Sequence, residues 1–119
     1  VLAITGDSTY PSGTAAKLGV EVTNTGTTSC KRDVGQAALE LIVSSGSARV
    51  WSSDDCNPGG GHAVVTLRSG QTFATTVTWD RQRSKVGCPS GEPKAAPGHY
   101  TLVGRNLTIK SAPTAFALQ

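Results

Sequence analysis

Between residues 17 and 23, Leu18, Val20 and Val22 alternate with Lys17, Gly19, Glu21 and Thr23. A period of two puts one set of side chains on each face of an extended chain, so the segment reads as a half-buried β-strand. Asn24-Thr25-Gly26 stops it. Val1 to Thr5 reads as a short apolar strand, followed by a turn-rich stretch, Gly6 to Gly13, that holds Tyr10-Pro11-Ser12-Gly13. Residues 38–43 and 48–52 flank Ser44-Ser45-Gly46-Ser47, the pattern of a hairpin. Residues 63–67 and 72–79 flank Arg68-Ser69-Gly70-Gln71 and predict a second hairpin, with Phe73, Thr75, Val77 and Trp79 on one face. Gly98 to Arg105 reads as a strand in which Tyr100 and Leu102 share a face, and 115–118 closes the chain. No segment carries a helical period. Short strands with regular turn signals predict an all-β, immunoglobulin-like antiparallel β-sandwich of about seven strands in a single domain, residues 1–119.

Two interruptions stand out from this pattern. Asn57-Pro58-Gly59-Gly60-Gly61 is a cluster of strand breakers. Asp80 to Pro97 is long, charged and punctuated by Pro and Gly, and loops of that length in small domains are commonly functional. Its basic residues Arg81, Arg83, Lys85 and Lys94 face only Asp80 and Glu92 in opposition, and they form the candidate binding loop, suited to an anionic surface polymer or an acidic partner protein. The net charge of +3 is small for a nucleic-acid binder, and none is expected as partner.

The 119 residues suffice for one core. No apolar run approaches the roughly 20 residues a membrane helix needs, so any anchor is expected outside this chain. Met is absent even at position 1, from which the domain is expected to be a part of a longer secreted or membrane-anchored protein. The three cysteines, Cys30, Cys56 and Cys88, lack the close pairing of zinc ligands and point to one disulfide in an oxidising compartment. Acidic residues beside Cys56 (Asp54, Asp55) and basic ones before Cys88 (Arg81, Arg83, Lys85) favour a Cys56–Cys88 pair, with Cys30 a free thiol tucked between strands. The alternative is Cys30–Cys56, if the strands before them end at one pole of the sandwich.

No constellation for chemistry emerges. His62 follows a glycine run, and His99 alternates away from the face of Tyr100. There is no Gly-x-Ser-x-Gly elbow, no acidic calcium loop and no phosphate loop. Asp54-Asp55 reads as charge at a strand end, and Asn106-Leu107-Thr108 as a sequon that matters only in a eukaryotic secretory pathway. The expectation is a domain that is not an enzyme and holds no cofactor or metal.

Gly98-His99-Tyr100 sits where immunoglobulin-like sandwiches place a tyrosine corner, and Trp51 and Trp79 are large enough to fill the space between two sheets. All three aromatics are expected to be largely buried. With Asn24-Thr25-Gly26 and Leu67-x-x-Gly70 they resemble bacterial immunoglobulin-like domains, and loosely the bacterial intracellular proteinase inhibitor (BsuPI) family. Tyr10-Pro11, Cys30 to Gly35, Trp51 to Cys56 and Ser84 to Cys88 are more closely similar to uncharacterised extracytoplasmic domains of actinobacterial envelope proteins. That resemblance implies a non-catalytic binding or structural module of the cell envelope, acting through its loops. It leaves two alternatives: a proteinase inhibitor using the 80–97 loop, and an accessory domain of an envelope enzyme.

Overall fold

The computed structural model describes residues 1–57 and 60–119; Pro58 and Gly59 of the breaker cluster lie outside the described residues. Alternation sets the first sheet. In β3 (Ala16–Thr23), Ala16, Leu18, Val20 and Val22 are buried, and β8 (Thr72–Trp79) alternates in the same way. β3 lies between β8 and β1 (Leu2–Thr5), antiparallel to both. The second sheet runs β2 (Thr9–Tyr10), β11 (Thr114–Leu118), β9 (Gly98–Asn106), β5 (Leu39–Ser45) and β6 (Ala48–Ser52), with the short β10 (Ile109–Lys110) on β9. A separate ladder joins β4 (Cys30–Asp33) to β7 (Val64–Leu67).

The architecture is an all-β sandwich of antiparallel sheets, with the strand order of an immunoglobulin-like domain. Seven strands build its body: β1, β3 and β8 against β11, β9, β5 and β6. One pairing, β2 with β11, is parallel. The chain passes from the first sheet to the second between β1 and β2. Tyr10, buried beneath this crossing, accepts from Gly6 N at 2.9 Å and donates to Lys17 O at 2.7 Å through its hydroxyl. One 3₁₀ turn, Gln36–Ala38, is the only helical element among the described residues, so none there is long enough to cross a membrane.

The two hairpin expectations part company over a glycine. In the β5–β6 turn, Gly46 has φ 58° and is the first of two loop residues, the arrangement of a II′ turn whose twist suits paired strands. The 68–71 turn carries its positive φ at the third position, Gly70 (φ 79°), with Gln71 N bonded to Arg68 O. That is the type II arrangement, which splays the flanking strands. So β7 and β8 do not pair with each other: β7 joins β4 and β8 joins β3. Asn24 secures the junction. Its side-chain amide donates to Thr28 O and Leu67 O, and its backbone bonds Gly70 and Gln71.

Leu18, Val20, Val43 and Leu102 fill the core between the sheets. Gly104 lets them approach: a Cβ there would fall 2.8 Å from Val20 Cγ2. Five aromatic rings thread the core in sequence, Tyr10 to Phe116 (6.1 Å), Tyr100 (5.8 Å), Trp79 (6.4 Å) and Trp51 (5.7 Å). Trp79 and Tyr100 are buried as expected, and the Tyr100 hydroxyl bonds back to Ala96 O, completing the tyrosine corner. Trp51 departs from the expectation. It is only half-buried, because it lies on β6 at the edge of its sheet, where no further strand covers it.

Candidate functional site

The 80–97 loop leaves β8 at Trp79 and is folded from its base outward. Asp80 Oδ1 accepts from Gln82 N at 2.9 Å, which bends the chain so that Arg81 takes a φ of 69°. The two limbs then run together: Arg83 N bonds Pro93 O, Ala95 N bonds Arg81 O, and Gln82 bridges Lys94. Past this point the loop lies along the free edge of β6. Ser84 N donates to Val50 O at 3.1 Å, and Ser84 Oγ accepts from Ser52 N at 3.3 Å. The tip is fastened by a Cys56–Cys88 disulfide, the expected pair. Both cysteines of the bridge are exposed, and Cys88 has a φ of 53°.

A polar network under the tip ties the loop to the sheet. Ser84 Oγ donates to Asp55 Oδ2 at 2.5 Å, and Arg49 grips both oxygens of Asp55 at 2.6 and 3.1 Å. Burial pushes the Asp55 carboxyl upward, but these hydrogen bonds outweigh it and hold the group below its ordinary range. Its neighbour Asp54 is shifted the other way, by burial and by the charge of Glu40, although Arg105 pairs with it at 3.3 Å. Arg105 also holds Glu40 at 2.9 Å. The adjacent aspartates thus belong to two different ion pairs, one inside the loop junction and one on the sheet face.

The four basic residues of the loop have separate duties. Arg81 is structural: its guanidinium donates to Thr14 O, Gln119 O, Tyr10 O and Pro11 O, at 2.8, 2.8, 3.1 and 2.5 Å. Lys94 Nζ donates to Asp80 O at 3.0 Å and closes the base. Lys85 pairs with Glu92 at 3.4 Å in an exposed position. Arg83 enters no ion pair among the described residues.

Arg83 lines a groove of about 520 Å³ between the loop and the open side of the sandwich. Trp51, Thr78, Gln82, the disulfide and two carboxylates, Asp80 and Glu92, are also among its walls. A second groove of about 480 Å³ lies on the other side of Trp51, between the sheets, over Val20, Leu39, Leu41 and Val77. Trp51 and Thr78 border both.

Sequence reading located the loop, the disulfide and Trp51 but not their arrangement. Arg49, Glu40 and Ser84 carry no local signal, since each acts on residues that only the fold brings near. Cys30 also differs from expectation: it is free, but exposed rather than tucked between strands, because it begins the peripheral β4–β7 ladder. His62 Nδ1 lies 2.6 Å from Asp33 Oδ2, while Gly35 N and Ala63 N donate to the other oxygen. These hydrogen bonds, the backbone pair first, lower the Asp33 carboxyl to about 2.

Fold and loop together define an immunoglobulin-like sandwich with one structured loop and a groove at its side. No family model and no curated protein matches the chain. Among solved structures it is similar to a β-glucosidase from Erythrobacter marinus, at 14% identity and a TM-score of 0.58, over 100% of this chain and 15% of that one. It is also similar to a β-glucosidase from Listeria innocua, in the structure with glucose, at 10% identity and a TM-score of 0.54, over 98% of this chain and 15% of that one. The same enzyme in complex with isofagomine gives 10% identity and a TM-score of 0.53, over 98% of this chain and 16% of that one. This chain therefore spans about a sixth of the length of those enzymes, and at such identities the likeness concerns the fold.

Proposed function

We propose that this domain is a non-catalytic binding or structural module of an actinobacterial cell envelope, displayed outside the cytoplasmic membrane and engaging its partner through the 80–97 loop. The observation that carries the reading is the construction of that loop. A disulfide, the ion pair of Arg49 with the buried Asp55 carboxylate and the Arg81 hydrogen bonds hold it in one shape against β6, which lowers the ordering cost of binding. An exposed disulfide persists in oxidising compartments and supports the extracytoplasmic placement. The similarity to a sixth of two β-glucosidase chains favours a second reading, in which the domain is an accessory part of an envelope enzyme.

The test is co-sedimentation of the purified domain with isolated actinobacterial envelope fragments. Retention is expected to fall as salt rises, since exposed charges are screened over roughly 8 Å at physiological ionic strength. It is expected to fall at least fivefold in the Arg83→Ala/Lys85→Ala double variant. No retention at low salt, or retention that this variant leaves unchanged, overturns the proposal.

A further inference from the structure

β8 is the last strand of its sheet, and its outer edge pairs with no strand among the described residues. Immunoglobulin sandwiches carry a fourth strand at this place. Here the preceding strand, β7, is turned aside at Gly70 and pairs with β4 instead. Asn24 N bonds Gln71 O just before β8, and in an antiparallel ladder bonded pairs recur at every second residue. Phe73, Thr75 and Val77 therefore turn their backbone groups to β3, and Thr72, Ala74, Thr76 and Thr78 turn theirs away from it. No hydrogen bond among the described residues reaches those outward groups. Proteins usually protect such an edge with charge, proline, a bulge or a covering segment. β8 runs for eight residues without a charge, a proline or a break in register. The other long edge, β6, is covered by Ser84, and Thr114 Oγ1 donates to Ala3 O on the edge strand β1 at 2.8 Å.

The groove of about 480 Å³ opens along this edge. Thr75, Val77 and Thr78 of β8 border it, and so does Trp51 of β6, so it lies between the last strands of the two sheets. Val20, Leu39 and Leu41 give it an apolar floor, and Gln36, Ser53 and Asn57 are polar but uncharged. Glu40, the one charged residue of the lining, is already held by Arg105 at 2.9 Å. We infer that β8 receives an extended peptide segment of a partner protein as the fourth strand of the β1–β3–β8 sheet, with aliphatic side chains of that segment entering the groove. A row of outward backbone donors and acceptors at strand spacing is matched by another extended backbone. A lining without a free charge is matched by an uncharged, apolar residue at every second position of that backbone. A second copy of the domain fits less well. The 80–97 loop lies along β6 and carries the second sheet outward, while the first sheet ends at β8. Two copies paired through β8 would bring those overhangs into the same space, whereas a single strand fits beneath one. This site goes beyond the loop-mediated reading above and uses none of the cations of the loop.

The probe is a capped peptide, Lys-Thr-Val-Thr-Val-Thr-Val-Thr-Lys. Two relatives separate the contributions: a fully N-methylated form, which keeps the side chains and has no backbone donor, and a form with Asp in place of each Val. Affinity is read by calorimetry, and the site by amide hydrogen exchange followed residue by residue in NMR spectra. The probe is expected to slow exchange at Thr72, Ala74, Thr76 and Thr78 at least tenfold, with far smaller changes at Phe73, Thr75 and Val77, which already bond β3. Both relatives are expected to bind at least tenfold more weakly. Thr76→Pro removes a donor that faces away from β3, so the variant keeps its ladder and is expected to lose at least tenfold in affinity. Should it fail to fold, Thr75→Lys, which points a charge into the groove, replaces it with the same expected loss. The Arg83→Ala/Lys85→Ala variant is expected to bind the probe as the parent does. Unslowed exchange at the outward amides, equal affinity for the N-methylated or the Asp form, or indifference to the β8 variant overturns the inference. So does slow exchange at those amides that grows with protein concentration in the absence of peptide, since it assigns the edge to a second copy. If the peptide fails while envelope fragments still retain the domain in a manner that depends on Arg83 and Lys85, the strand site falls and the loop reading stands.

Discussion

Arg81 and Arg83 stand two residues apart in one loop and differ in everything that matters for stability. Arg81 directs its guanidinium to four carbonyls, from Tyr10, Pro11, Thr14 and Gln119, and holds a left-handed backbone conformation to do so. Hydrogen bonds to a charged group are each worth roughly 1.5–3 kcal/mol, and contacts sharing one side chain are not additive. Arg81→Ala is therefore expected to cost about 2–4 kcal/mol in urea denaturation. Arg83→Ala, at the groove wall, is expected to stay within about 0.5 kcal/mol of the parent. Nothing in the sequence separates these arginines, because the acceptors of Arg81 lie as many as 71 residues away along the chain. Asp33 gives a pH counterpart. Its carboxyl is held at about 2 in the folded domain, below the ordinary 3.8. The stability it supplies is present in full above the unfolded value and is lost as pH falls through the folded one. The stability difference between the parent and Asp33→Asn is thus expected to shrink between pH 4 and 2. A difference that does not change over that range would show that the carboxylate charge contributes nothing.

Elements were legible where the alternation was strong. β3, β8 and β9 follow from period-two patterns, β5 and β6 from the turn signal between them, and Gly98-His99-Tyr100 marked the corner that anchors β9. The short ladders were not legible: β2 and β10 have two residues each, and β4 is the polar run Cys30-Lys31-Arg32-Asp33. Pairing of β7 with β4 depends on the turn at Gly70 and on Asn24, which are contacts between distant segments. The loop itself was found by its length and breakers. Its docking along β6 was not, since Ser84 bonds Val50 through backbone atoms that have no sequence signature. The disulfide fixes that docking. It closes a loop with a sequence separation of 32, for which chain entropy predicts about 3–4 kcal/mol. In a Cys30→Ser background that prevents reshuffling, the Cys56→Ser/Cys88→Ser variant is expected to lose about that much in denaturant titration. A loss below about 1 kcal/mol would mean that the ion pair at Asp55 and the Ser84 bonds already hold the loop.

The whole molecule carries its ordered loop and its C-terminal strand at one pole, with Asn24 and β10 at the other. The β2–β11 pairing runs parallel, and Arg81 adds a clasp across it from Tyr10 O and Pro11 O to Gln119 O. When residues 1 and 119 are pulled apart, parallel strands at the two ends of a chain must slide past each other. Their bonds are then loaded together in shear instead of opening one after another, as in a zipper. The clasp lies across that sliding plane. Resistance to such a pull would come from the backbone bonds of the β2–β11 pairing and the Arg81 clasp together, rather than from the thickness of the core.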